Sequence, residues 1–276
     1  MAKTTLEVFR KELLATGSYT TPPERRAKKR RKPGFFTTLG FSFTVFNVFP
    51  LSGIAEAMGR LTTDLWAHYC FRCVQKAERY GMDVFFDGWE NRQKHDGPVI
   101  YLANHMSTLE TVLLPFVLLT YGPFNVVVKQ SLSHLPFLEK AAAHMGLIPV
   151  GRKNPREDLM QMFTLGKERV EQGNSILIFA QGTRQKVFSR KHWSSIGSKL
   201  AEKAGVPVVP IALQTDCEPT REGGGPFKDF GPVDTSLPIR FRCGPVITGS
   251  SREMQQASYD WIAAQLKEWG LPVEEE

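Results

Sequence analysis

Short apolar runs alternate with segments of helix length along most of this chain, and that alternation confines it to an α/β architecture. Val84-Phe85-Phe86, Val99 to Ala103, Val126-Val127-Val128, Ile176 to Phe179 and Val206 to Leu213 read as strands. Leu109 to Leu119, Leu132 to Met145, Arg156 to Gln172 and Ser194 to Ala204 lie between them and are long enough for helices. The strands are continuous apolar runs, as a sheet covered on both faces requires. The spacing predicts a mainly parallel or mixed sheet flanked by helices. Ile239 to Cys243 offers a further sheet edge. Ser250-x-x-Glu253 then opens a helix as a capping box, with Met254, Ser258, Trp261, Ile262, Leu266 and Trp269 along one stripe. A length of 276 residues suffices for one such core. With no internal repeat or low-complexity linker, residues 82–276 are expected to form one catalytic domain.

The N-terminal third has a different character. The net charge is +7, and most of it sits in Arg25, Arg26, Lys28, Lys29, Arg30, Arg31 and Lys32, opposed only by Glu24. The remainder is close to neutral, so no broad basic face for nucleic acid is implied. Residues 1–32 are expected to be a basic, flexible segment. Directly after it, Pro33 to Ala55 is uncharged and holds Phe35, Phe36, Phe41, Phe43, Phe46 and Phe49. Cations followed by aromatics suit an anionic lipid surface, where each Lys or Arg contributes roughly 1 kcal/mol. Thr37, Thr38, Ser42, Thr44 and Asn47 dilute this stretch, and Gly40 and Pro50 interrupt a uniform helix. A monotopic or re-entrant anchor is therefore expected over a full span, within a membrane-associating helical region at 33–81. A helix buried against the domain is the alternative. Ile54 to Tyr80 reads as helical with Gly81 as its stop. An apolar content of 42% excludes a multi-span membrane protein.

The four cysteines point to no metal. Cys70 and Cys73 form a Cys-x-x-Cys, yet Cys217 and Cys243 supply no second pair with zinc spacing. Small buried helix residues are the expected role for the first pair, and nothing requires an oxidising compartment.

Chemistry enters at Asn104-His105-Met106-Ser107-Thr108-Leu109-Glu110, just past the run ending at Ala103. Imidazole titrates near neutrality, so a histidine at a strand exit can take a proton from a hydroxyl and return it. Glu110 can hold the other ring nitrogen in its N–H tautomer. Ser107-x-x-Glu110 is also a capping box, which gives the carboxylate a purely structural role. The catalytic reading needs His105 in the turn before the helix. Arg152 and Arg184 each follow an apolar run and a glycine, and two guanidinium forks suit a phosphate. Gly182-Thr183 belongs to such a site or is only a tight turn.

Four blocks in order resemble the glycerophospholipid acyltransferases, the lysophosphatidic acid acyltransferases and their relatives. They are Asn104-His105-x4-Glu110, Gly146 to Arg152, Phe179-Ala180-Gln181-Gly182-Thr183-Arg184 and Val206-Pro207-Val208-Val209-Pro210. The resemblance runs from about Val84 to Val246. Glu110 stands where the glycerolipid branch has aspartate, and Gln181 replaces a glutamate with an uncharged amide. The resemblance implies acyl transfer from a CoA or acyl-carrier-protein thioester to a lysophospholipid hydroxyl, above all that of 1-acyl-sn-glycerol-3-phosphate. It implies His105 as general base and Glu110 as its orienting partner. Backbone N–H groups at Leu147, Ile148, Pro149 and Val150 are the candidate oxyanion donors. Lys129, Arg152 and Arg184, with Gln181, Gly182 and Thr183, are expected to hold the acceptor. No bound cofactor or metal is expected; acyl-CoA or acyl-ACP enters as co-substrate. The other expected partner is a membrane surface, at the cytoplasmic face, and nucleic acid is not expected. An acyl hydrolase using Ser107 and a catalytically silent lipid-binding protein are the rival readings.

Overall fold

Eight strands form one mixed sheet in the order β1-β2-β8-β7-β3-β6-β4-β5. They are β1 (Tyr19–Thr20), β2 (Val84–Asp87), β3 (Ile100–Ala103), β4 (Phe124–Lys129), β5 (Leu147–Val150), β6 (Ser175–Phe179), β7 (Val208–Gln214) and β8 (Ile239–Cys243). The computed structural model describes residues 5–130, 146–151, 155–220 and 231–274. The expected helix from Leu132 to Met145 and the candidate Arg152 lie outside them. Strand β3 lies parallel between β7 and β6, with Ala103 level with Ile211 on one side and Phe179 on the other. Strands β3 and β6 therefore end level with each other while β7 runs on to Gln214, so the residues that follow β3 and β6 emerge together at one edge. Ligands in open α/β sheets bind at that edge.

Alternate residues of the central strands feed two cores. Tyr101, Ala103, Leu177, Val209, Ile211 and Leu213 face one side. Ile100, Leu102, Ile176, Ile178, Val208 and Ala212 face the other. Helices α4 (Thr63–Arg79) and α5 (Leu109–Leu118) cover the first face, joined by α1 (Leu6–Thr16), α2 (Phe35–Phe46) and α3 (Val48–Ala57). Helices α6 (Pro155–Glu171), α7 (Ile196–Ala204) and α8 (Ser251–Glu268) cover the second. Helix α5 is apolar all round because it is buried all round, with only Thr111 exposed among its residues. The capping box before α8 forms as expected, Ser250 Oγ accepting from Glu253 N while the Glu253 carboxylate accepts from Ser250 N.

Residues 5–32 depart from the flexible segment expected. Helix α1 buries Leu6, Phe9 and Leu13, and β1 adds an antiparallel edge to β2. Phe9 is the anchor: its ring lies 4.8 Å from Tyr19, 5.4 Å from Phe71 and 5.2 Å from both Phe86 and Phe116. Charge content hid this, because the three buried residues are separated by Glu7, Arg10, Lys11 and Glu12 on the exposed face. The basic run is docked too. Arg26 and Arg30 pair with Asp83, Arg31 N donates to Tyr80 O at 2.9 Å, and the Arg31 guanidinium lies over the Tyr80 ring. Gly81 makes this approach possible: at φ +77° it turns the chain, and a Cβ there would meet Arg30 Cα at 2.8 Å. The helix expected from Ile54 to Tyr80 is two helices, because the chain turns at Gly59 (φ +63°) and restarts at Thr62, whose hydroxyl caps Leu65 N.

Candidate active site

The turn between β3 and α5 holds His105 outside the helix, as the catalytic reading requires. Asn104 is the clamp. Its side-chain amide donates to Leu213 O at 3.0 Å and accepts from Leu213 N at 2.8 Å, extending the β3–β7 pairing by one step. His105 follows, with its Nδ1 2.8 Å from Glu110 Oε1. Glu110 is fully buried and gathers Met106 N at 2.5 Å, Ser107 N at 3.0 Å, Ser107 Oγ at 2.9 Å and the Thr215 hydroxyl. Both readings of Ser107-x-x-Glu110 therefore hold at once: the carboxylate reaches back to Ser107 N and also grips the imidazole. Burial by itself would push the Glu110 carboxyl up; the bonds from His105, Thr215 and Ser107 outweigh it and hold the group below its usual range. An ionised Glu110 selects the Nδ1–H tautomer and leaves His105 Nε2 to accept a proton. Ser107 Oγ is spent on Glu110 and on Leu109 N, and the residue is wholly buried, so it is no nucleophile.

The segment after β6 is built around the same histidine. Phe179 stacks on the imidazole at 4.3 Å and 24°. Gln181 Oε1 accepts from His105 N at 2.8 Å, and Gln185 N donates to His105 O at 2.9 Å. Arg184 Nη1 donates to Thr108 Oγ1 at 2.8 Å. Gly182 sits at φ +67° with nothing near its missing Cβ, so backbone conformation, not space, calls for glycine there. Thr183 is exposed and its hydroxyl accepts from Gln185 Nε2. Gln181 thus grips the histidine backbone through its oxygen, while its buried Nε2 has no hydrogen-bond partner among the described residues. A carboxylate could make the first contact equally well; only the amide brings the unsatisfied donor.

The structure brings His105, Glu110, Gln181, Gly182, Thr183 and Arg184 together, and it separates the oxyanion candidates from them. Leu147–Val150 form β5, at the sheet edge, with β4 and β6 between it and β3. At about 4.8 Å per strand, that is roughly 14 Å from β3. Their backbone faces β4 in parallel register, and Pro149 has no N–H to offer. These positions form the edge strand of the sheet, apart from the histidine turn. Lys129 ends β4, exposed, two strands from β3. Asn104, Phe179 and Thr215 were missed by residue-by-residue reading, since each acts through a neighbour brought close by strand register. A polar hollow at the opposite end of the sheet, lined by Arg92, His95, Asp96 and Tyr121, offers no comparable chemistry. Its guanidinium is committed to Tyr101 Oη and to the carbonyls of His95 and Gly97.

On the membrane-facing question, Phe35–Ala57 is a helical stretch of 23 residues, long and apolar enough by composition to cross a bilayer. One face packs on α4 through Thr37, Thr38, Phe41 and Val45. On the other, Phe35 and Phe36 are 72% and 75% exposed, beside Leu39, Phe43, Phe46 and Ile54. A contiguous apolar surface of this kind marks an interaction site.

Known proteins resemble this chain in sequence and in fold. The family model described as Acyltransferase matches residues 83–214. A 1-acyl-sn-glycerol-3-phosphate acyltransferase of Pseudomonas aeruginosa is 36% identical over 115 residues, covering 42% of this chain and 44% of that protein. A chloroplastic 1-acyl-sn-glycerol-3-phosphate acyltransferase of Brassica napus is 32% identical over 135 residues, covering 49% of this chain and 37% of that protein. The matched segments thus span less than half of either relative. The crystal structure of the 1-acyl-sn-glycerophosphate acyltransferase PlsC from Thermotoga maritima shares the fold, with a TM-score of 0.60 at 17% identity over 87% of this chain and 97% of that one. Residues 83–214, folded around His105 and Glu110, thus match the Acyltransferase family model and are similar in sequence to 1-acyl-sn-glycerol-3-phosphate acyltransferases.

Proposed function

We propose that this protein transfers a fatty acyl group from an acyl-CoA or acyl-ACP thioester to the free hydroxyl of a lysophospholipid, with 1-acyl-sn-glycerol-3-phosphate as the preferred acceptor. The observation that carries this reading is the His105–Glu110 pair, tied through Nδ1 and leaving Nε2 to act. His105 Nε2 takes the hydroxyl proton as that oxygen attacks the thioester carbonyl. The tetrahedral intermediate collapses, the C–S bond breaks, and the departing thiolate recovers the proton from the imidazolium. Arg184, set beside the helix carrying Glu110, supplies a guanidinium for the acceptor phosphate. The test is to incubate the purified protein with palmitoyl-CoA or palmitoyl-ACP and a panel of lysolipids, and to identify products by mass. Phosphatidic acid from lysophosphatidic acid supports the reading. Free fatty acid alone would instead indicate a hydrolase, and no turnover a silent binding protein.

The same proposal places the enzyme on the cytoplasmic face of a membrane, lying on it through the exposed side of α2 and α3. Exposed Lys28, Lys29 and Lys32 flank that side and suit anionic lipid. Replacing Phe35 and Phe43 together with glutamate is expected to weaken sedimentation with phosphatidylglycerol vesicles at least tenfold, since burying one phenylalanine contributes about 2 kcal/mol. Unchanged sedimentation would refute this placement.

A further inference from the structure

Glu110 holds one edge of the His105 imidazole, and a second residue covers its face. Phe179 is the last residue of β6, level with Ala103 at the end of β3. Its backbone is pinned there: Ala180 N donates to Ala103 O at 3.0 Å, and Gly182 N donates to Phe179 O at 3.0 Å. Strand alternation puts its side chain on the face shared by Tyr101 and Leu177, half-buried against the first core. There its ring centroid lies 4.3 Å from that of the imidazole, with 24° between the planes, so the imidazole sits over the phenyl face. Rings this close leave no room for water between them, and the histidine side chain is only 15% exposed. Two residues of one segment thus fix His105, Gln181 by its backbone N–H and Phe179 by its ring.

The face of a phenyl ring is the negative part of its quadrupole, and it attracts a cation within about 6 Å of the centroid. As a base, the imidazole starts neutral and turns positive on taking the acceptor's proton. The stack therefore gains an attraction in the transition state that it lacks in the ground state, the kind of interaction that speeds a chemical step. Glu110 does not duplicate it, because it acts at the ring edge through Nδ1. Resting on the reading of His105 as general base, we propose that Phe179 is a positioning residue for acyl transfer. It holds the plane of the imidazole and stabilises the imidazolium through the face of its ring. An aliphatic side chain at this strand end would serve the core and do neither.

The test is a series of full-length proteins in which the Phe179 ring carries one, two or three fluorines, assayed in single turnovers with palmitoyl-CoA and saturating lysophosphatidic acid. Fluorine draws electron density from the ring face and alters its size little, so packing is kept while the attraction for a cation is removed in steps. Single turnovers report the chemical step without product release. The rate is expected to fall with each fluorine, by about 3- to 10-fold at three. The substrate concentrations giving half-maximal rate, and Tm, should stay at their wild-type values. Phe179→Leu, made by ordinary substitution, should lose at least as much rate as the fully fluorinated ring, again with half-maximal concentrations unchanged. A rate that stays flat along the fluorine series, a rate that falls only in step with Tm, or full activity in Phe179→Leu overturns the proposal and leaves His105 as the base. No acyl transfer by the wild-type protein overturns the acyltransferase reading and this inference with it.

Discussion

Replacing His105 with alanine is expected to lower the rate of acyl transfer by about 10²- to 10⁴-fold, the usual contribution of a general base. That is about 3–5 kcal/mol of transition-state stabilisation. The loss should fall on kcat, because the imidazole acts on the hydroxyl proton and makes no claim on the acceptor phosphate or the thioester carrier. Sedimentation with vesicles should be unaffected, since His105 is not among the exposed apolar side chains of α2 and α3. The histidine side chain is partly exposed, and its ring contacts are one carboxylate and the Phe179 face. Its removal therefore leaves the backbone grip by Gln181 and Gln185 in place. Steady-state kinetics with palmitoyl-CoA and lysophosphatidic acid would check this. An alanine variant with full kcat would remove His105 from the chemistry.

Replacing Glu110 is expected to do two kinds of damage, and the choice of substituent separates them. In Glu110→Gln the side chain keeps its length, but its amide cannot accept on both arms. It must present N–H groups to some of the donors at Met106, Ser107 and Thr215. The imidazole loses the partner that fixes its tautomer, and losing an orienting carboxylate costs up to about 10⁴ in rate. In Glu110→Ala the same donors are left buried without acceptors, at about 1–3 kcal/mol each. The alanine variant should therefore unfold several kcal/mol more easily than wild type, while the glutamine variant loses mainly rate. The acid limb adds a pH signature. Because the folded-state carboxyl is held below its ordinary value, it contributes stability above about pH 4.5 that disappears as pH falls through the lowered value. Wild type should lose Tm in that acid range more steeply than Glu110→Gln. Equal slopes would show that the carboxylate carries no such linkage.

These effects share a cause in the way the turn is built. Glu110 serves the helix start, the strand end at Thr215 and the imidazole with a single carboxylate, so fold and chemistry are not separable there. The departure from aspartate at this position is accommodated because the longer side chain still reaches both Ser107 N and His105 Nδ1 across the turn.

Much of this was legible in one dimension. Continuous apolar runs announced a doubly covered sheet, since a strand buried on both faces has no polar side to display. His105, Glu110 and Arg184 stood out because their side-chain chemistry is tied to residue type, and the catalytic pair lies within five positions of chain. The edge position of Leu147–Val150 was hidden for the opposite reason: strand order is set by pairing between distant segments. The N-terminal segment was misjudged because charge density describes the surface of α1 and says nothing of Phe9, which needs the rings of Phe71, Phe86 and Phe116 to define its pocket. Local spacing alone pointed to the alternating elements and set His105 and Glu110 close enough to be candidates for a base and its partner. Only the tertiary structure decided that Gln181 grips the histidine backbone and that Thr215 completes the hold on Glu110. Those relations arise from the common level at which β3 and β6 end beside the longer β7, and register between strands far apart in sequence is a property of packing that no local pattern encodes.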